Sequence, residues 1–163
     1  ISFDNLLKES GITRSNGYNF YFKNYIFKDI DLNNKTIMDL GGGNGIASFY
    51  ALTRSPTCRA WVVDPLSQGS NNRMVHQFKY LEKNFDKSRI NFHRGFIDSL
   101  IHPEEFNIVI MHNSINHIGE DIIANNFSNK KFFYEFKIRL ESILNRLITN
   151  GFYLLQIVVS IIF

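Results

Sequence analysis

The chain has 163 residues, of which 44% are hydrophobic and 20% are charged, and its formal net charge is +3. This balance fits one globular domain over 1–163 with a sizeable core, and the scattered basic residues do not indicate a nucleic-acid partner. Because Cys58 is the single cysteine, an internal disulfide and a cysteine-based zinc site are excluded, and a reducing cytoplasm is the expected location.

The first part of the chain predicts helices that precede a sheet. Residues 3–9 predict a short helix that Gly11 ends. Aromatic residues at spacings of three and four predict a second helix over 18–30. A polar turn at 31–34 then leads into a first strand at 36–40.

After this strand, helical and strand patterns alternate to the end of the chain. Helices are predicted at 45–54, 73–85 and within 120–149, and strands at 59–64, 90–94, 106–111 and 152–159. Continuous apolar strands joined by helices predict an α/β fold: a doubly wound, mostly parallel, Rossmann-like sheet with helices on both faces. The apolar run at 151–163 is shorter than the ~20 residues a bilayer span needs, so no membrane partner is expected.

The turn after the first strand carries the most chemical information. It reads Asp39-Leu40-Gly41-Gly42-Gly43-Asn44-Gly45 and leads into a helix, so its glycines and the helix start can hold a nucleotide-like cofactor. The dinucleotide pattern G-x-G-x-x-G fits only in part, with Ser48 at its last position. The pattern acid-x-G-x-G-x-G fits at every position, and its acid would repel a pyrophosphate.

This pattern resembles motif I of the class I S-adenosylmethionine-dependent methyltransferases. Further landmarks follow in order: Val62-Val63-Asp64, the segment 90–98 that ends in Asp98, the strand 106–110, and the loop 112–118. The resemblance covers about 20–160. It implies that 1–34 forms a helical cap or lid, lined by Tyr18 and Tyr21, over a cofactor-binding core at 35–163.

The resemblance also implies how S-adenosylmethionine is held. Asp39 and the turn residues Gly41, Gly42, Gly43, Asn44 and Gly45 would bind its methionine end. Asp64 and Pro65 would lie at the ribose, Phe96, Ile97 and Asp98 at the adenine, and His112 and Asn113 beside the methyl group.

The implied reaction is methyl transfer to a small-molecule acceptor, with His117 and His112 as candidates for a general base. The absence of an Asn-Pro-Pro-Tyr or Pro-Cys motif argues against methylation of DNA bases. The histidines lack the spacing of metal ligands, so no metal is expected. The sequence leaves open the acceptor and whether oxygen, nitrogen or carbon is methylated.

Departures from the family pattern keep other interpretations open. Phe96 and Asn107 stand where family members often carry acids, and the chain ends before the strand hairpin that closes the family's sheet. An apolar edge at the fifth strand would then invite dimerisation, although the oligomeric state stays open. The alternatives are a non-catalytic methyltransferase-like binding module and an NAD-dependent oxidoreductase. Asp39, Asp64 and Asp98 would then only cap backbone amides or open turns.

Overall fold

The computed structural model describes residues 2–12, 17–66, 72–100, 106–112 and 154–158, together with four helical positions between 134 and 141. Its centre is a five-stranded sheet in which every neighbouring pair is parallel and the strand order is β3-β2-β1-β4-β5. The strands are β1 (Thr36–Leu40), β2 (Arg59–Val63), β3 (Ile90–His93), β4 (Ile108–His112) and β5 (Leu154–Val158).

This order confirms the predicted doubly wound parallel sheet. The chain moves outward from β1 to β2 and β3, then returns to the other side of β1 to form β4. The strand order therefore reverses between β1 and β4. In open α/β sheets, the crevice at this reversal, at the carboxyl ends of the strands, is where ligands bind.

The helices agree with the sequence pattern in most of their bounds. They are α1 (Phe3–Glu9), α2 (Tyr18–Tyr21), α3 (Ile46–Arg54) and α4 (Asn72–Glu82), with a 3-10 turn at Ile97–Ser99. The Ser2 hydroxyl accepts a hydrogen bond from the Asn5 N–H at the start of α1, and Gly11 follows α1 with φ +77°. The predicted helix within 120–149 lies almost wholly outside the described residues.

Strand periodicity divides the core between the two faces of the sheet. On one face, Ile37 of β1 and Ile110 of β4 join a cluster that includes buried residues of α1, α3 and α4. On the other face, Met38 and Val109 pack with Leu100 and other residues that follow β3. Since side chains alternate along a strand, Asp39 and His112 fall on the same face as Ile37 and Ile110, here called the α3 face.

Two predicted elements differ from the structure. The helix predicted over 18–30 changes after α2 into a π-helix, Phe22–Ile26, in which the Phe27 N–H donates to the Phe22 carbonyl at 2.8 Å. The fourth strand begins two residues later than predicted, at Ile108 instead of residue 106, because Asn107 pairs with the start of β1 through its side chain as well as its backbone. Its Oδ1 accepts from the Thr36 N–H at 2.8 Å, and its N–H donates to the Thr36 carbonyl.

Among the described residues, no helix is both long enough and apolar enough to cross a bilayer.

Candidate functional site

The glycine turn is a left-handed backbone bend between β1 and α3. Gly41, Gly43 and Gly45 have φ values of 65°, 55° and 72°, which glycine adopts without steric cost. The Gly41 N–H donates to the Val63 carbonyl at 2.7 Å, and the Gly45 N–H donates to the Gly42 carbonyl at 2.8 Å. The bend is therefore fixed by its own backbone and by the end of β2.

Close packing explains the remaining glycine of the turn. A Cβ on Gly42 would lie 2.7 Å from the Asp39 Cγ and 2.9 Å from a methyl group of Val62. The turn thus folds directly over the Asp39 carboxylate. A side chain at residue 42 would displace either this carboxylate or the second strand.

Asp39 is a buried carboxylate at the start of α3, with only 1% of its surface exposed. The Ser48 hydroxyl donates to its Oδ2 at 2.9 Å, and the Ser48 N–H is a second donor. Burial raises the pKa of Asp39 from 3.8 to about 6, with the two Ser48 bonds opposing and the nearby Asp64 charge adding to the rise. Asp39 therefore accepts hydrogen bonds from the first turn of α3, and its role toward a ligand stays a prediction.

Asp64 follows β2 and joins the second strand to the glycine turn. It is 2% exposed; its Oδ2 accepts from the Gly43 N–H at 2.8 Å, and its Oδ1 accepts from the Leu66 N–H at 2.7 Å. The second bond closes a tight turn through Pro65, in which Leu66 has φ +54°. Strained backbone of this kind in a non-glycine residue is concentrated at functional sites.

The segment after β3 contributes an exposed aromatic ring next to this turn. The Gly95 N–H donates to the Asp64 carbonyl at 3.2 Å, and the Phe96 ring is 49% exposed. The Ile97 side chain is instead buried in the core, so of these two neighbours Phe96 is the one whose side chain a ligand can readily reach. The side chain of Asp98 lies outside the described residues.

His112 is the last residue of β4 and lies across the strand-order reversal from the glycine turn. Its ring is 5.4 Å from the Tyr21 ring and 6.0 Å from the Phe22 ring, measured between centroids. Burial lowers the pKa of His112, so the ring is neutral near pH 7. Asn113 and His117 lie outside the described residues.

Two α4 residues that the sequence pattern does not indicate contact the glycine turn. The Asn44 side-chain amide donates to the Gln77 Oε1 at 3.0 Å, and the Met74 sulfur lies 3.2 Å from the position of a Cβ on Gly43. Right-handed crossovers alone would have brought the helix after β2 near this turn. Ser48 had been noted only for the dinucleotide pattern.

The structure thus brings Asp39, Asp64 and the glycine turn together: Asp64 is hydrogen-bonded to the turn, and the turn packs over the Asp39 carboxylate, which is bonded to Ser48. His112 stands opposite this group, and Phe96 lies at its β3 side. Within the described parts of the chain, no group of three or more histidine, cysteine or acidic residues could hold a metal ion. The arrangement offers buried anionic acceptors and a neutral ring at the carboxyl ends of the strands.

Comparisons with known proteins give information on the fold. No protein-family model matches the chain, and no curated protein matches it significantly. The structure of a provisionally assigned O-methyltransferase from Nostoc punctiforme PCC 73102 is similar, with 11% identity and a TM-score of 0.56; the match covers 91% of this chain and 38% of that one. The N-methyltransferase NodS from Bradyrhizobium japonicum WM9 has 11% identity and a TM-score of 0.51, with 72% and 54% covered.

The resemblance to the class I S-adenosylmethionine-dependent methyltransferases is therefore confirmed at the level of the fold. At this identity the likeness concerns architecture alone, since one fold supports many functions. The two similar proteins are described as acting on oxygen and on nitrogen, so the architecture does not select an acceptor. The matches cover between 22% and 54% of the length of the similar solved structures, so the chain spans about half of their length or less.

Proposed function

We propose that the chain binds S-adenosylmethionine and transfers its methyl group to a small-molecule acceptor. The main support for this proposal is one hydrogen bond: the Asp64 carboxylate accepts from the Gly43 N–H at 2.8 Å. The acid after the second strand and the glycine turn after the first are thereby one unit at the strand-order reversal, where ligands of open α/β sheets bind.

The chemistry of the available groups fits this cofactor. A ribose presents hydroxyl donors and the methionine tail presents an ammonium group, and both are matched by carboxylate acceptors. A carboxylate offers about four acceptor positions, so Asp64 can serve the loop and ribose hydroxyls together. The residues proposed to hold the cofactor are Asp39, Gly41, Gly42, Gly43, Asn44, Gly45, Asp64, Pro65, Phe96, Ile97, Asp98, His112 and Asn113.

S-adenosylmethionine supplies, when bound, a methyl group already activated by its sulfonium. The protein then has to orient the reactants and exclude water. His112 is proposed as the group that takes a proton from a hydroxyl or amine acceptor, because a neutral imidazole has a free lone pair. His117 is the second candidate for this role.

Calorimetry with S-adenosylhomocysteine and with NAD tests the proposal. We expect the wild-type chain to bind the first ligand and not the second, and Asp64→Asn to weaken binding at least about tenfold, as expected for loss of a charged hydrogen bond. Asp86→Asn is the matched control, because Asp86 is exposed and bonds only to its own turn. Equal affinity in Asp64→Asn and wild type would refute the ribose assignment, and preference for NAD would favour the oxidoreductase.

A non-catalytic methyltransferase-like module is the second candidate. The hydrogen bonds that Asp39 and Asp64 already accept from Ser48 and Gly43 of this chain favour such a module, because the two side chains need no ligand to hold their positions. Such a module could pair through the apolar edge at β5. Light scattering and a methyl-transfer assay separate the candidates, since a monomer that turns over excludes this one. The proposed compartment is the reducing cytoplasm, as the single cysteine suggests.

A further inference from the structure

The hydroxyl group of Tyr21 is buried and, within the part of the chain that the structure describes, has no hydrogen-bond partner. The Tyr21 ring is held by its neighbours, at 5.7 Å from the rings of Phe22 and Tyr25 and 5.4 Å from that of His112. A buried hydroxyl without a partner lowers stability, and nearly all such groups in proteins are satisfied. A ligand that accepts this hydrogen bond would account for the exception.

The local backbone places this hydroxyl at the proposed site. Tyr21 is the last residue of α2, immediately before the π-helix Phe22–Ile26. Short π-helical segments are frequent at functional sites. Through its contact with His112, the Tyr21 ring lies at the carboxyl end of β4, across the strand-order reversal from the glycine turn.

The charges around the crevice indicate which ligand group needs this donor. The tail of S-adenosylmethionine carries both an ammonium and a carboxylate. Asp39 and Asp64 are buried carboxyl groups on the β1 and β2 side, which favours the ammonium over the carboxylate there. The β4 side instead presents the Tyr21 hydroxyl beside the His112 ring. A carboxylate bound on the β4 side would be farther from Asp39 and Asp64 than one bound at the glycine turn.

We infer that the Tyr21 hydroxyl donates a hydrogen bond to the carboxylate of the cofactor's amino-acid tail. This inference rests on the proposed function. It makes the N-terminal segment a direct part of the cofactor site rather than only a cover for it. A hydrogen bond to a charged group is among the stronger ones in proteins, so its loss should be measurable as affinity.

A comparison of two ligands tests the inference. S-adenosylhomocysteine carries the tail carboxylate, whereas its decarboxylated analogue, S-adenosyl-3-thiopropylamine, keeps the amine and lacks the carboxylate. We expect Tyr21→Phe to weaken binding of the first by about tenfold or more and to leave binding of the second within about twofold. Tyr25→Phe is the matched control, because it removes the same atom from a ring that is 59% exposed on the same segment.

Thermal unfolding of the ligand-free protein supplies the second measurement. The melting temperature of Tyr21→Phe should equal or exceed that of wild type, because the lost hydroxyl bonds to none of the described residues. Equal losses of affinity for both ligands, or a lowered melting temperature, would show a structural role and overturn the inference. Unchanged affinity for S-adenosylhomocysteine would overturn it as well. Failure of wild type to bind either ligand would instead refute the proposed function, and the inference with it.

Discussion

The amino ends and the carboxyl ends of the strands form two opposite sides of the sheet, here called the amino edge and the carboxyl edge. The polar groups at these two edges differ in how well they are hydrogen-bonded. At the amino edge, Arg89 satisfies the carbonyls that the end of α3 and the start of β2 leave open. Its guanidinium donates to the carbonyls of Cys58 at 3.0 Å, Leu52 at 3.1 Å and Ser55 at 2.6 Å. A cation also stabilises the negative end of a helix. This edge is organised for stability.

The carboxyl edge contains features that cost stability. Two carboxylates, Asp39 and Asp64, are buried close enough to interact, and Leu66 adopts a left-handed backbone. The buried Tyr21 hydroxyl has no hydrogen-bond partner among the described residues. Sites that bind ligands commonly retain such costs because the ligand interactions depend on them. The difference indicates that mutations should mainly destabilise at the amino edge and can even stabilise at the carboxyl edge.

The largest effect is expected from Arg89→Ala. It removes hydrogen bonds from a charged donor to three carbonyls and should lower the free energy of unfolding by about 3–4 kcal/mol. Urea denaturation measures this loss. Lys87→Ala, which removes the same charge from an exposed position two residues away, should change stability by less than about 0.5 kcal/mol. Similar losses in both variants would contradict the role given to Arg89.

The next effect concerns the close approach of the glycine turn to Asp39. Gly42→Ala should cost about 2–3 kcal/mol, because its Cβ would overlap the Asp39 carboxyl group and Val62. Gly17→Ala is the control, since a Cβ there meets no atom within 4 Å. Comparison of the urea midpoints checks the prediction, which fails if Gly42→Ala is as stable as Gly17→Ala.

Asp39→Asn should change stability in the opposite direction. The folded-state pKa of Asp39 is raised from 3.8 to about 6, so the native state binds more protons than the unfolded state between these values. The favourable contribution of protonated Asp39 to the free energy of unfolding is complete below pH 3.8 and is lost as the pH rises through 6. At about 1.4 kcal/mol per pH unit, the buried charge costs about 3 kcal/mol at pH 8.

Asp39→Asn should therefore be about 2 kcal/mol more stable than wild type at pH 8, because the added amide donors offset part of the gain. The gain should vanish near pH 4, and binding of S-adenosylhomocysteine should weaken. Asp86→Asn should show no gain, since hydrogen bonds from Ser88 lower the pKa of Asp86. Unfolding at both pH values measures these differences. An unchanged difference between the two pH values would contradict the assigned pKa.

The smallest effect is expected at His112. Burial lowers its pKa below the ordinary 6.5, so its contribution to stability is present above pH 6.5 and is lost as pH falls below it. This trend opposes that of Asp39 in the same range. His112→Phe keeps an aromatic ring against Tyr21 and Phe22. Its stability relative to wild type should rise as the pH is lowered from 7 to 5, because only wild type loses the contribution of a neutral His112. Melting temperatures that differ by a constant amount would contradict this.

The sequence was sufficient for the sheet and for the part of the site that is local in the chain. Apolar runs identified all five described strands, and the acid-led glycine pattern identified the turn, because both signals lie within a few residues. Ser48 and Gln77 were missed as partners of Asp39 and Asn44 because these contacts depend on how helices dock. The unpartnered hydroxyl of Tyr21 depends on packing across 91 residues to His112, which no local pattern contains.

The transition of α2 into a π-helix was missed for a related reason. Aromatic spacing of three and four indicates a helical face but does not distinguish hydrogen bonds four residues apart from those five residues apart. The segment after β3 illustrates the same limit. Phe96 and Ile97 are both predicted to lie at the adenine, and the sequence does not show that the Ile97 side chain enters the core while that of Phe96 remains exposed.

A crystal structure of the chain with S-adenosylhomocysteine would show directly whether the glycine turn and Asp64 hold the cofactor. We expect the ligand at the carboxyl ends of β1, β2 and β4, with its ribose hydroxyls on Asp64 and its amino-acid tail between the glycine turn and Tyr21. Two results would contradict this expectation. One is a ligand bound elsewhere on the protein, and the other is a glycine turn that contacts α4 side chains and no ligand in crystals grown with saturating ligand.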